Sequence, residues 1–320
     1  MASPSRILVI KPSSLGDIIH GLQLVESIRV QTPNLHITWV VESVFKDVVE
    51  SCATVDKVIV FERQGGLGAF VRLIKNIRAQ KFDKVLDLQG LARSGLMTWA
   101  ARAEHKIGRS DAREGSGLFY SKKIPLPQDK KAHAVEILAK FLPVLDLKEK
   151  VVSSLRFDFP NLQNDELLVS LKDSVLIFPE SRRTEKEWPA FPEFVQRAAE
   201  QLPECHFVWC ASERSAELCP KAENITNIAG KTSLPQVIAL IQGASLVVAN
   251  DSGPVHIAAA VGTSVLGLYG PTSPVLYGPY PLDKPTHQSI HSKDGIIGSI
   301  TVDQVLDALF PSVITPIADA

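Results

Sequence analysis

From its first residues the chain alternates short β-branched runs with stretches whose apolar residues recur at helical spacing. Arg6 to Lys11, Leu35 to Val41, Lys57 to Phe61 and Lys84 to Leu88 read as strands, and Ile18 to Val30, Val44 to Ser51 and Leu67 to Gln80 as the helices between them. This alternation predicts βαβ units and a parallel sheet covered on both faces. After a basic, proline-containing stretch at 122–131 and a helix over 133–145, the pattern weakens between 148 and 171, where a linker is expected. A second series then places strands at Ser174 to Phe178, His206 to Ala211, Ser245 to Ala249 and Ser264 to Tyr269, with helices near Pro192 to Leu202 and Leu234 to Gln242. The expected organisation is α/β, with two Rossmann-like domains over 1–155 and 156–300. An irregular stretch at 277–299 precedes a final helix within 301–320 that is expected to cross back to the first domain. Open parallel sheets bind ligands at the carboxyl ends of their strands, so chemistry is sought in the loops that follow strands.

Composition narrows the class. A chain of 320 residues, 45% hydrophobic and 22% charged, is long enough for two globular domains. No apolar run approaches the roughly 20 residues of a membrane-spanning helix, and no secretory leader is recognisable, so a cytoplasmic protein is expected. Cys52, Cys205, Cys210 and Cys219 form no CxxC pair and read as reduced thiols. The net charge of -1 hides an asymmetry: residues 1–150 carry 23 basic and 16 acidic side chains, and the rest carry 11 and 19. The amino-terminal +7 half suits an anionic partner, either a phosphorylated acceptor or a negative membrane surface, as well as it suits an ordinary solvated face. Nucleic acid is not expected as a partner.

Four loops carry candidate chemistry. In Lys11-Pro12-Ser13-Ser14-Leu15-Gly16-Asp17, Gly16 permits a close backbone approach and Asp17 stands where a helix N-cap belongs. The loop is neither a P-loop nor GxGxxG, so ATP hydrolysis and NAD chemistry lose support. Asn250-Asp251-Ser252-Gly253-Pro254-Val255-His256 opens a small-residue helix whose amino terminus would suit a diphosphate, although His256 also reads as a core histidine. Ser181-Arg182-Arg183-Thr184-Glu185-Lys186, after the first strand of the second half, is a charged loop at a phosphate-binding position. Gly270-Pro271-Thr272 by itself specifies only a turn. No DxD pattern occurs, so a metal-free diphosphate site is implied if the chemistry is glycosyl transfer, and no cofactor is called for.

Taken together, RILVIKPSSLGDIIH, EKEWP, NDSGPVHIAAAVG and YGPTSP resemble, in order, the motifs of glycosyltransferase family 9, the bacterial heptosyltransferases. Asp87-Leu88-Gln89-Gly90-Leu91, Asp111-Ala112-Arg113-Glu114 and His133-Ala134-Val135-Glu136 are similar to the branch that adds the first inner-core heptose. The resemblance implies a GT-B fold with two Rossmann-like domains facing a central cleft and an inverting transfer. The donor would be ADP-L-glycero-D-manno-heptose, and the acceptor a keto-deoxy-octulosonic acid (Kdo) residue of lipid A precursor. A monomer, peripheral on the cytoplasmic face of the inner membrane, is expected.

The same resemblance makes Asp17 the general base and Lys186 the stabiliser of the departing ADP, both catalytic. It assigns donor contacts to Ser181, Arg182, Arg183, Lys186, Asp251, Ser252, Gly253, Pro254, His256 and Thr272. Acceptor contacts fall to Ser13, Ser14, Gly16, His20, Arg63, Gln89 and Arg113. Two departures stand out: the segment 61–82 is shorter and poorer in arginine than in that branch, and Arg182 replaces a small hydroxyl residue. Another family-9 acceptor, or a nucleotide-sugar epimerase of the same architecture, are the alternatives.

Overall fold

A computed structural model describes residues 4–126 and 132–314, with the side chains of 311–314 left aside. The chain divides after Asp158 into two compact units. The first holds β1 (Ser5–Ile10), α1 (Leu15–Gln31), β2 (Leu35–Glu42), α2 (Lys46–Glu50), β3 (Lys57–Phe61) and α3 (Gly66–Arg78). It continues with β4 (Lys84–Asp87), α4 (Ala92–Ala100), β5 (His105–Arg109), β6 (Lys122–Ile124), α5 (Ala134–Ala139) and α6 (Phe141–Val144). Its six parallel strands lie in the order β3-β2-β1-β4-β5-β6.

Both faces of this sheet are covered, which is why its central strands are apolar throughout. Leu8 and Ile10 of β1 pack with Leu73 and Ile77 of α3 and Met97 of α4. Ile7 and Val9, which the pleat turns to the other face, are equally buried. The bulkiest buried residue of β2, Trp39, lies against α1 at Gly21, where a Cβ would come within 2.9 Å of the indole. Its indole N–H donates to the Lys11 carbonyl at 3.0 Å, so the packing of a core ring fixes the loop that leaves β1.

The second unit holds α7 (Glu166–Ser170), β7 (Val175–Phe178), α8 (Phe191–Gln201), β8 (Phe207–Trp209), β9 (Ile225–Asn227) and α9 (Leu234–Gly243). It continues with β10 (Leu246–Asn250), α10 (Gly253–Val261), β11 (Ser264–Tyr269), α11 (Pro274–Tyr277), β12 (His287–His291) and α12 (Val302–Ile314). Its parallel strands run β12-β11-β10-β7-β8-β9, the same winding as the first sheet. In each sheet the chain reverses its direction of travel once, between β1 and β4 and between β7 and β10, and there the loops on neighbouring strands part to leave a crevice.

Four strands escape the hydrophobic pattern: β5, β6, β9 and β12 are short and polar, and the last three are sheet edges. The stretch 277–299, expected to be irregular, therefore contains β12. The helix expected to cross to the first domain, α12, packs through its described residues on α8 and β11 of its own unit. Arg197 of α8 pairs with Asp303 at 2.6 Å, and residues beyond 314 lie outside the described part. Among the described residues no helix is long and apolar enough to cross a membrane.

At the start of β12, His287 is buried with Nδ1 2.7 Å from the Pro281 carbonyl oxygen, while its buried Nε2 has no hydrogen-bond partner. A carbonyl only accepts, so Nδ1 carries the proton and a second proton would have to enter at Nε2. Burial accordingly holds this imidazole below its usual range. The folded state resists a proton that the unfolded chain accepts at about pH 6.5. Stability from this site is therefore complete above that value and is lost as the pH falls toward the depressed one. The urea midpoint should fall between about pH 7.5 and 5.5, and His287→Gln, which keeps a donor for Pro281, should flatten the dependence; an unaltered slope in the variant would refute the assignment.

Candidate functional site

In the second unit the reversal point lies between the loops that follow β7 and β10. Asn250, the last residue of β10 and fully buried, donates from Nδ2 to the Pro179 carbonyl at 2.7 Å. Its Oδ1 accepts from the Trp188 N–H at 3.0 Å. One amide thus ties both ends of the 179–188 loop, and the buried Trp188 is anchored further through Nε1 to the Ile300 carbonyl at 2.9 Å.

Within that frame a single turn, Thr184–Lys186, delivers Lys186 inward. Its Nζ stands 2.5 Å from Asp251 Oδ2, with the two side chains 15% and 7% exposed. The Thr272 hydroxyl donates to the same oxygen at 2.6 Å. Beside them begins α10, with Ser252 at the N-cap, Gly253 and then Pro254 in the first turn. The Ser252 hydroxyl turns back to the Asn250 carbonyl at 3.1 Å and makes no capping bond, so the N-cap side chain leaves the end of the helix dipole open. A paired but barely hydrated ammonium next to an uncapped helix amino terminus is suited to an anion with several oxygens.

The remaining donor candidates stand in other surroundings. Arg182 and Arg183 are exposed, and Arg183 pairs with Glu185 at 2.6 Å. The Ser181 N–H is taken by Glu187 at 2.8 Å, and Glu187 also pairs with Arg214. His256 is half-buried on α10. Of the three cations in the charge run, only Lys186 is drawn against Asp251.

In the first unit the loop after β1 leads into α1 with Ser14, not Asp17, at the N-cap. Asp17 occupies the third helical position, where its Oδ2 accepts from the Ser14 N–H at 3.2 Å and from its hydroxyl at 2.9 Å in a capping box. Ser14 lies in an extended conformation one turn earlier, which corrects the placement expected from spacing. The Asp17 side chain is 49% exposed, and the buried Lys11 brings Nζ to 3.5 Å from it. Burial depresses the Lys11 pKa, against the attraction of Asp17.

Next to this loop, across the reversal point, Asp87 ends β4 completely buried. Its carboxylate accepts from the Gln89 and Gly90 N–H groups at 2.9 and 3.0 Å and from the Tyr120 hydroxyl at 2.8 Å. Burial raises the pKa of Asp87 and, helped by the Asp87 charge, that of Tyr120. Gly90, with φ of +69°, lets the chain turn tightly over this carboxylate.

A cleft of about 310 Å³ opens here, with Ser13, Arg63, Gln89 and Arg93 as polar walls and Phe61, Leu91 and Met97 as apolar ones. Glu42 and Glu114 also line it; Arg63 pairs with Glu42 at 2.9 Å, and Glu114 accepts from the Ala92 N–H at the start of α4 at 3.0 Å. Three acceptor candidates, Ser13, Arg63 and Gln89, meet in this cleft. Arg113 is exposed, and its N–H donates to the Gly90 carbonyl at 2.9 Å beside the walls; Ser14 and Gly16 lie on the neighbouring turn. His20 is buried edge-on against His133, with ring centroids 5.6 Å apart, and does not line the cleft. Sequence reasoning missed Lys11, Arg93, Glu42 and Glu114. Arg93, in the first turn after the Asp87-Leu88-Gln89-Gly90 block, was the one with a readable signal.

The family described as glycosyltransferase family 9 (heptosyltransferase) matches residues 70–293, a span that holds Lys186, Asp251 and Thr272 and begins after Asp17. Lipopolysaccharide heptosyltransferase 1 of Salmonella typhimurium is 30% identical over 86% of this chain and 91% of its own length. The lipopolysaccharide core heptosyltransferase OpsX of Haemophilus influenzae is 29% identical over 87% and 82%. Among solved structures, E. coli heptosyltransferase WaaC with ADP superimposes with a TM-score of 0.80 at 24% identity, covering 96% of this chain and 99% of that one. A family 9 glycosyl transferase from Veillonella parvula gives 0.82 at 24% identity over 98% and 99%. The architecture is therefore GT-B, as the motif resemblance implied.

Asn250→Ala would leave the Pro179 carbonyl and the Trp188 N–H without their partner, at about 1–3 kcal/mol for each buried group. We expect a loss of about 2–4 kcal/mol in urea unfolding of the second unit; a loss below about 0.5 kcal/mol would show that the loop does not depend on this amide.

Proposed function

The chain belongs to glycosyltransferase family 9, the heptosyltransferases, and from that premise we propose that it transfers L-glycero-D-manno-heptose from ADP-heptose to a Kdo residue of lipid A precursor, with inversion, in lipopolysaccharide core synthesis. The observation that carries the donor half is the Lys186–Asp251–Thr272 cluster at the uncapped amino terminus of α10. A sugar diphosphate needs compensation for the charge that builds on its leaving group. A lysine with little water around it and a helix dipole supply this where it develops. Ser252, Gly253 and Pro254 bring backbone close to the diphosphate. Asp251 is shared between Lys186 and the sugar, with Thr272 holding the carboxylate, and His256 lies farther along the same helix.

For the acceptor half, Asp17 takes the proton from the attacking hydroxyl as the bond from the heptose anomeric carbon to ADP breaks, and ADP departs as the anion. In the first-unit cleft Arg63 and Arg93 suit the carboxylate of a sugar acid, Ser13, Gln89, Glu42 and Glu114 suit its hydroxyls, and the apolar walls suit its carbon skeleton. An acceptor held in a bilayer would bring the +7 half of the chain to the negative cytoplasmic face as a peripheral protein. The relatives' names, lipopolysaccharide heptosyltransferase 1 and lipopolysaccharide core heptosyltransferase, support heptose transfer in lipopolysaccharide core synthesis.

Asp17→Asn keeps an acceptor for Ser14 and removes the base. Turnover should fall about 10²- to 10⁴-fold while ADP-heptose affinity, measured by calorimetry, stays within a few fold; near-normal turnover would end the base assignment. Lys186→Ala should weaken donor binding and lower kcat about 10²- to 10³-fold, read by nucleotide release. Kinetics like those of the parent protein would remove Lys186 from the phosphate site. Sugar isomerisation without acceptor would point instead to an epimerase.

A further inference from the structure

Lys11 is the most deeply buried cation beside the first-unit cleft, 7% exposed, and the reaction as written gives it nothing to do. Its backbone is fixed twice over: the Lys11 carbonyl accepts from Trp39 Nε1 at 3.0 Å, and the next carbonyl, of Pro12, accepts from the Glu42 N–H at 3.1 Å. The ammonium therefore approaches Asp17 at 3.5 Å from a rigid base at the end of β1, while Asp17 sits half-exposed on the first turn of α1.

The other charged groups around this pair are already committed. Arg109, at the end of β5, acts on Asp17 through space, but its Nε and Nη2 are engaged by Asp111 at 2.8 and 2.7 Å. Asp87, at the end of β4, also attracts Lys11, yet its oxygens are occupied by Gln89, Gly90, Thr98 and Tyr120. His20, one turn farther along α1, is packed against His133. Ser14 supplies two neutral donors to Asp17. The carboxylate that meets the Lys11 ammonium is Asp17.

We propose that Lys11 is a positioning residue for Asp17, its buried ammonium holding that carboxylate ionised and in place to receive the proton of an acceptor hydroxyl. Lys11 keeps its own protons throughout; the hydroxyl proton passes to Asp17, and the ion pair is restored when Asp17 releases it. The catalytic consequence rests on the reading of Asp17 as the base. The pairing itself does not, and the two are separable by experiment.

The carboxyl carbon of Asp17 is followed by 13C NMR against pH in the full-length protein, its signal assigned by loss in Asp17→Asn. An opposite charge within a few ångströms moves a carboxylate by about one to three pH units. Lys11→Met should therefore raise the Asp17 midpoint by about one pH unit or more, and Lys11→Arg, which keeps the charge, should restore most of it. An Asp17 midpoint that is the same with and without the Lys11 charge overturns the proposal. Coupling between two sites is reciprocal, so Asp17→Asn should lower the titration midpoint of Lys11, read at its Cε. This gives a test that does not depend on Lys11→Met folding, and an unmoved Lys11 midpoint also overturns the proposal. If the pairing holds, the acid limb of kcat/KM against pH should shift by the same amount, a roughly tenfold loss of rate per unit below it. A moved midpoint with an unmoved limb upholds the pairing and refutes Asp17 as the base.

Discussion

Each half of the molecule is organised by one buried polar side chain at the end of the fourth strand of its sheet. In the first unit it is the Asp87 carboxylate, gathering two backbone N–H groups and a tyrosine hydroxyl. In the second it is the Asn250 amide, bridging a carbonyl and an N–H from opposite ends of one loop. Parallel sheets leave their loop backbones without ladder partners where the strand order reverses, and buried backbone groups must find others. A side chain projecting from the strand end supplies them. The choice of chemistry follows from what must be held: two donors call for an acceptor-only group, whereas one donor and one acceptor call for an amide.

The crevices inherit their character from these anchors. Around Asp87 the chain turns tightly enough for Gln89 and Arg93 to line a mixed polar and apolar cleft. Around Asn250 the 179–188 loop is drawn down so that a lysine from an otherwise exposed charge run meets a carboxylate just past the neighbouring strand. The exposed Arg182 and Arg183 show what the same loop offers without that constraint.

The central strands were legible because burial on both faces leaves an uninterrupted apolar run, as in Leu246–Asn250. The edge strands β6, β9 and β12 were not, because three to five residues with one face in solvent leave no period to detect. Candidate site residues were legible where they clustered in one loop, as with Asp251 and Ser252, or where the motif resemblance named them, as with Lys186, which the fold draws against Asp251. Glu42, Arg93 and Glu114 come from three distant segments, and only the fold brings them to one cleft. Lys11 was hidden differently. It reads as the polar end of a strand, and the indole that holds its carbonyl comes from another strand, through Trp39. Asp17 was found at the right loop and the wrong helical position, because a capping box spreads its two partners over three residues.

The single oxygen of Asp251 shared by Lys186 and Thr272 gives the second-unit cluster a resident counter-ion. An anion arriving at Lys186 would have to share the ammonium with that carboxylate, so part of its attraction would go into loosening the existing pair, and the same carboxylate would reclaim the lysine when the anion leaves. On the proposed reaction, the cluster would trade affinity for ease of product departure.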